Sequence, residues 1–421
     1  MKILIRNGRV IDPASGRDAA GDLAIADGRL CEALSGKPDR VIDATGLVVA
    51  PGLIDIAARL REPGYEYKAT LESEMDAAVA GGVTSLACPP DTDPPLDEPG
   101  LVDMLRRRAK VLSRARVYPI GALTVKLAGE RLTEMAELAE AGCVAFSQAD
   151  EPIPDTQVLW RALQYAATFG FPVWLRVEDH WLARGGVAHD GELATRLGLP
   201  GIPVFAETVA LGVLLELVRA TGTRVHLCRL SSAGAVELVR RAKTEGLPIS
   251  CDVGIHHLHL SDLDLGYFDA HCRLVPPLRS QRDRDALAAG LADGTIDCVC
   301  SDHTPVDEDQ KQMPFSEAEP GATGLELLLP LVLKWGAQQK LPLATVLARV
   351  TSDAARVLGV HSGRLQAGAP ADVVVFDPDA AWRVSAEALR SQGKNTPYIG
   401  YELGARVRYT LVAGNVVFEQ T

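Results

Sequence analysis

The sequence predicts an α/β protein, a (β/α)8 TIM barrel with a small β-sandwich domain built from both chain termini. Eight short apolar runs alternate with helix-length amphipathic stretches between residues 51 and 355, which is the pattern of a parallel β/α repeat. Strand character dominates both ends of the chain. No Gly-x-Gly-x-x-Gly follows the first apolar run, which counts against a doubly wound sheet as the competing architecture. The expected boundaries are 1–50 and 356–421 for the two parts of the β-sandwich domain, and 51–355 for the barrel.

In chain order, short strands are expected at 3–5, 9–11, 22–26 and 47–49, with Asn7-Gly8 and Asp27-Gly28 as turns. The barrel strand candidates are 52–56, 84–88, 117–121, 143–146, 173–177, 224–230, 248–253 and 297–301. Helical stretches at 71–80, 132–141, 158–169, 207–220 and 234–245 lie between them, several ending at a glycine that suits a C-cap. The Gly81-Gly82 pair reads as such a cap and turn rather than a phosphate loop. Beyond 355, strands return at 371–377, 406–412 and 416–419, the last two joined through Ala413-Gly414-Asn415. No internal repeat, low-complexity tract or heptad is present.

Composition narrows the function classes. The 421 residues carry 43 Lys+Arg against 55 Asp+Glu, a net charge of −12, and 47% are hydrophobic. That acidic balance argues against a general nucleic-acid binder. The most apolar stretch, 202–218, is interrupted by Glu207 and Glu216, so no membrane span is expected. The eight Cys form no Cys-x-x-Cys pair and sit mostly in apolar runs; reduced, buried thiols in a cytoplasmic protein are expected. The first residues, MKILIRNGRVID, lack the apolar core of a signal peptide. The basic residues divide into 33 Arg and 10 Lys, beside only nine His.

Chemistry in a parallel barrel gathers at the C-terminal ends of the strands. The first strand leads into Asp55, Ala57, Arg59, Arg61 and Glu62. The fifth ends in Arg176, Glu178, Asp179 and His180, and the sixth in Arg229 and Ser231. The seventh runs into His256, His257 and His259, and the eighth into Asp302 and His303. No Gly-x-Ser-x-Gly and no catalytic Cys–His spacing occurs.

These residues carry a resemblance. Pro51-Gly-Leu-Ile-Asp55, Leu60-Arg-Glu-Pro-Gly64 and the Glu-x-Lys ending at Lys68 resemble the dihydroorotase branch of the amidohydrolase superfamily. So do Ala80-Gly-Gly-Val-Thr84, Thr92-Asp-Pro-Pro95, Val275-Pro-Pro-Leu-Arg279, Ser301-Asp302-His303 and Gly321-Ala-Thr-Gly-Leu-Glu326. The stretch 363–377 is similar to the superfamily's closing β domain. The resemblance runs from about residue 2 to 418.

It also exposes departures. The His-x-His pair that active relatives carry after the first strand corresponds to Ala57 and Arg59. Their bridging ligand corresponds to Gln148 in Gln148-Ala149-Asp150, and their later metal histidines correspond to Arg176 and Arg229. Asp302 remains at the position of the general base, here vestigial. Remnants of a substrate-like pocket are Arg61, Asp91 and His257. A guanidinium offers no lone pair to a metal. A divalent cation about 4 Å from one is repelled by roughly 8 kcal/mol at an effective dielectric of 20. Zinc is therefore expected to be absent, with no other cofactor.

Two readings of the arginines stay open: they fill the void left by the metals and pair with Asp302, Glu178, Asp55 or Asp179, or they join Arg61 in holding an anion. For the whole chain, the resemblance implies a non-catalytic dihydroorotase-like subunit. It would assemble with the aspartate carbamoyltransferase catalytic chain in pyrimidine biosynthesis, as a homo-oligomer or hetero-oligomer. The alternative is a metal-dependent cyclic-amide hydrolase with an atypical site around Asp302 and the His256/His257 cluster.

Overall fold

The computed structural model describes residues 1–420. Eight parallel strands succeed one another in chain order: Leu53–Asp55, Val83–Cys88, Arg116–Ala122, Ala145–Ser147, Val173–Leu175, Val225–Leu227, Ile249–Gly254 and Cys298–Cys300. Each stands within about two residues of the run read from sequence, because a strand buried on both faces is a continuous apolar segment. Closure between the eighth and first strands is made by loop residues. His303 donates its N–H to the Ala57 carbonyl (3.2 Å), and Arg59 donates to the His303 carbonyl (2.9 Å).

Alternate side chains separate two packing layers. Ile54, Ala87, Ile120, Ala145, Trp174, Cys298 and Cys300 share one cluster. Leu53, Leu86, Val173, Leu227 and Val299 join the larger core beneath the helices. Those helices include Leu71–Ala80, Pro99–Leu112, Thr156–Phe169, Val204–Thr221, Ala233–Thr244 and Gln281–Ala292. Leu71–Ala80 is capped by Thr70, whose side chain accepts from the Ser73 N–H. It stops at Gly81, and Gly82 (φ +83°) turns the chain into the next strand.

The chain ends build one further sheet. Asn415–Glu419, Glu402–Val412, Val373–Arg383, Val48–Pro51, Lys2–Asp12, Arg17–Ala26 and Arg29–Cys31 are hydrogen-bonded in that order, with Arg40–Asp43 also pairing with Lys2–Asp12. This ladder is continuous and folds around its own core of Ile3, Ile5, Val10, Ile25, Val49, Val373, Val375 and Leu411. Asn7-Gly8 is not a turn. Asn7 takes φ +61° inside one long strand, where the register shifts between Ile5 and Gly8, so the dipeptide forms a bulge. Asp27-Gly28 and Ala413-Gly414 do form tight turns with positive φ at both residues.

All eight cysteines are free, and six of them are buried. Among the described residues, no helix is long and apolar enough to cross a membrane.

Candidate functional site

The strand ends place a closed ion-pair network in the barrel mouth. Arg59, past the first strand, sets its Nε 2.6 Å from Asp91 Oδ2 and its Nη2 2.6 Å from Asp150 Oδ2. Its Nη1 donates to Thr304 Oγ1 (3.0 Å) and lies 3.5 Å from Asp302. Arg229, past the sixth strand, places Nη1 2.8 Å from Asp302 Oδ1, and its Nη2 donates to Asp150. Arg176, past the fifth, reaches Asp150 Oδ1 at 3.1 Å and donates to the Asp150 carbonyl at 2.7 Å. It also pairs with Glu178 at 2.9 Å. One carboxylate, Asp150, is thus gripped by three guanidiniums.

The electrostatics follow from depth. The three arginine side chains are only 5–6% exposed, and buried charge survives only when paired. Burial alone would raise the Asp150 carboxyl, but Arg229, Arg59 and Arg176 outweigh it and hold it well below the ordinary carboxylate range. Desolvation works against the charges of Arg59 and Arg229, and the surrounding carboxylates more than compensate. Backbone conformation aims these groups: Arg229 (φ +53°), Asp302 (φ +49°) and Ala149 (φ +52°) all occupy the left-handed region.

A second set adjoins the first. Arg61 donates to the Pro305 carbonyl (2.8 Å), and its Nη2 lies 3.7 Å from Glu319. Lys68 Nζ sits 2.7 Å from the same carboxylate. Across both sets, Arg59, Arg61, Lys68, Arg176 and Arg229 each have at least one of Asp91, Asp150, Glu178, Asp302 and Glu319 within 4.0 Å, so none of these five cations stands unpaired.

Of the expected ion-pair partners, Asp302 and Glu178 are used and two are not. Asp55 is buried beneath the mouth, where it accepts the Ser301 N–H (2.8 Å) and hydroxyl; burial raises its carboxyl to about 6. Asp179 caps the helix His180–Ala183, accepting from the Trp181 and Leu182 N–H groups. Each is held by backbone or hydroxyl donors before a guanidinium can reach it. Their places are taken by Asp150 and Asp91. Asp150 was legible as a carboxylate two residues past Gln148, in a chain whose mouth holds three arginines.

The remaining predicted residues line this wall without converging. Ala57 serves barrel closure through its carbonyl. Gln148 is buried, accepting from Thr124 Oγ1 (2.9 Å) and donating to the Leu127 carbonyl (2.7 Å). Asp91 belongs to Arg59. His257 donates through Nε2 to the Pro276 carbonyl (3.0 Å), and His259 through Nε2 to that of Leu331 (2.9 Å). His256 stacks on Tyr398 with a centroid separation of 5.7 Å, both ring nitrogens lacking partners. Burial lowers His256 to about 3 and the other two to about 4, so all three are neutral at pH 7. His303 turns away from the mouth. Its Nε2 meets Glu74 (2.6 Å) and its Nδ1 accepts the Gly324 N–H (3.1 Å).

The donor set does not fit the metal centre that the resemblance places here. Arg59, Arg176 and Arg229 supply no electron pair, and of the two nearest carboxylates Asp150 is held through both oxygens and Asp302 through Oδ1. A different trio, His226, Cys228 and Asp252, brings its ligand atoms within 4.8 Å of one another deeper in the barrel. Sequence reading did not single it out. Its groups satisfy one another instead: His226 Nε2 meets Asp252 Oδ2 (2.8 Å), and Asp252 Oδ1 accepts the Arg229 N–H (2.9 Å). Burial raises the Cys228 thiol well above its ordinary range.

Residues 46–235 match the family described as Dihydro-orotase-like, and residues 209–418 match the Amidohydrolase family. A "Dihydroorotase-like protein" of Pseudomonas aeruginosa (strain PAO1) is 45% identical, with 100% of each chain covered. The chain belongs to the dihydroorotase-like amidohydrolase family. Another member, from Pseudomonas putida and of the same description, is 45% identical over 99% of both chains. One from Geobacter sp. (strain M21), described as "Dihydroorotase", is 41% identical over 100% of both. The family fold is also that of the L-hydantoinase (dihydropyrimidinase) from Arthrobacter aurescens, with a TM-score of 0.88 at 24% identity, covering 99% of this chain and 96% of that one.

Proposed function

We propose that this member of the family is catalytically silent and works as a structural, assembly subunit for the aspartate carbamoyltransferase catalytic chain in pyrimidine biosynthesis. The observation that carries the silent part is the grip of Arg59, Arg176 and Arg229 on Asp150. Removing Asp150 from that grip would take from three buried guanidiniums the one carboxylate they share, which opposes freeing it to bind metal or activate water. Asp302, the vestigial base, is tied to Arg229 through Oδ1. The partner rests on the resemblance alone, and a fold of over 400 residues kept without its metal ligands is consistent with selection on its surface.

The competing reading is a metal-dependent cyclic-amide hydrolase. It draws on one feature: His257 Nδ1 has no partner and faces Asp302 across Gly254.

Three measurements on the native protein separate the readings. Elemental analysis is expected to find no stoichiometric transition metal, and interconversion of carbamoyl aspartate and dihydroorotate is expected to stay at background. Co-purification from the native host is expected to recover the transferase chain in a defined larger complex. Stoichiometric metal with turnover would establish the hydrolase. A chain isolated alone, with the transferase fully assembled and active in its absence, would sink the assembly role.

A further inference from the structure

A second concentration of arginine lies at the opposite, N-terminal end of the barrel. A cleft of about 630 Å³ opens between the helix Pro99–Leu112, the start of the strand Arg116–Ala122 and the turn at 412–415. Arg106, Arg107, Lys110, Arg114 and Arg116 line it, with Asp103 as the one carboxylate among its lining residues. Two of these cations are engaged. Arg116 forms a two-pronged pair with Asp372 (3.0 and 3.1 Å), and Arg114 lies 2.6 Å from Asp76. Arg106 donates to the Ala141 carbonyl (2.6 Å), which leaves its charge uncompensated. Among the described residues, Arg106, Arg107 and Lys110 have no carboxylate within 4.0 Å.

We propose that this cleft binds a small molecule bearing a polyphosphate group. Three cations without an ion-pair partner line one concavity whose lining holds a single carboxylate. The volume falls within the usual range of about 300–1,000 Å³ for small-ligand sites. Guanidiniums match phosphate oxygens in pairs, and Arg107 and Lys110 stand one helical turn apart on the same rim. The Arg116–Asp372 and Arg114–Asp76 pairs fix the floor, so binding requires no rearrangement of the barrel. Half-buried Tyr118, kept protonated because burial raises its phenol, offers a flat wall beside the cations.

Calorimetric titration of the full chain with inorganic triphosphate tests this. Saturable binding is expected, weakening several-fold between 50 and 300 mM salt as the charges are screened. Arg107→Glu with Lys110→Glu should weaken it at least tenfold. Arg196→Glu with Arg282→Glu makes the same change in net charge at exposed positions elsewhere and should leave it unchanged. A nucleoside triphosphate binding more tightly than inorganic triphosphate would identify a nucleotide as the source, and equal affinity a free polyphosphate; both sustain the proposal. Absence of binding at 1 mM ligand would overturn it, as would equal weakening by the two double variants or equally tight binding of citrate.

Discussion

The two ends of this barrel use the same residue type in opposite ways. At the C-terminal mouth, Arg59, Arg176 and Arg229 are 5–6% exposed and each is matched by carboxylates at hydrogen-bonding distance. At the N-terminal cleft, Arg107 and Lys110 are exposed and unpaired. The difference is solvation. A guanidinium removed from water must find a fixed counter-charge, and once it has one it becomes part of the framework. One left in water keeps its charge available to a visitor. An anion reaching the mouth would have to displace Asp150, whereas one reaching the cleft displaces only solvent. The ion pairs at the mouth favour structural replacement over the anion-holding reading of its arginines.

The sharpest way to break that contrast is Asp150→Ala. It leaves three buried guanidiniums without their shared partner and is expected to destabilise the fold by about 3 kcal/mol, measured by urea unfolding. A loss below about 1 kcal/mol would mean that water screens the mouth as it does the cleft.

Acid should act on the mouth wall next. His256, His257 and His259 titrate at about 3, 4 and 4 in the folded chain, against about 6.5 unfolded. Between pH 6.5 and 4 the unfolded chain therefore binds protons that the folded chain refuses, and stability falls as pH falls. Asp55, raised to about 6, works in the other direction, as do Glu207, Asp302 and Glu326, whose carboxyls burial also raises, so the slope is shallower than the three histidines alone would give. A melting temperature that rises as pH is lowered from 6.5 to 4 would contradict this.

Within the same wall, His303 has both ring nitrogens engaged and His256 has neither. His256→Phe should therefore stabilise by about 1 kcal/mol, since it removes an unsatisfied buried donor while keeping the stack on Tyr398. It should also flatten the acid slope, and the same denaturation series reads both effects. At the small end, Arg107→Glu with Lys110→Glu should change stability by no more than about 0.5 kcal/mol. A larger loss would show that the cleft cations are structural after all.

Much of the architecture was written in local patterning. The eight barrel strands stand where continuous apolar runs stood, and the Leu71–Ala80 helix begins and ends at its capping residues. Asn7-Gly8 misled because the same dipeptide serves a hairpin turn or a bulge, and only pairing with Arg17–Ala26 and Arg40–Asp43 selects the bulge. At the site, the three arginines and their partners Asp302 and Glu178 could be named from position alone, because strand ends map onto the mouth. The role of Asp150 as the shared partner could not.

By itself, then, the sequence determined the barrel, the joining of the two termini in one sheet, and the placing of three guanidiniums at strand ends. Those properties depend on apolar periodicity and on what a side chain can chemically donate, both of which are local. The tertiary structure decided that Asp150 rather than Asp55 or Asp179 would hold the arginines, that His303 would turn to Glu74, and that the mouth arginines would be paired while Arg107 and Lys110 at the far cleft stayed unpaired. Pairing depends on distance and burial across segments separated in the chain, by 26 residues for Arg176 and Asp150 and by 73 for Arg229 and Asp302. No local pattern encodes that separation.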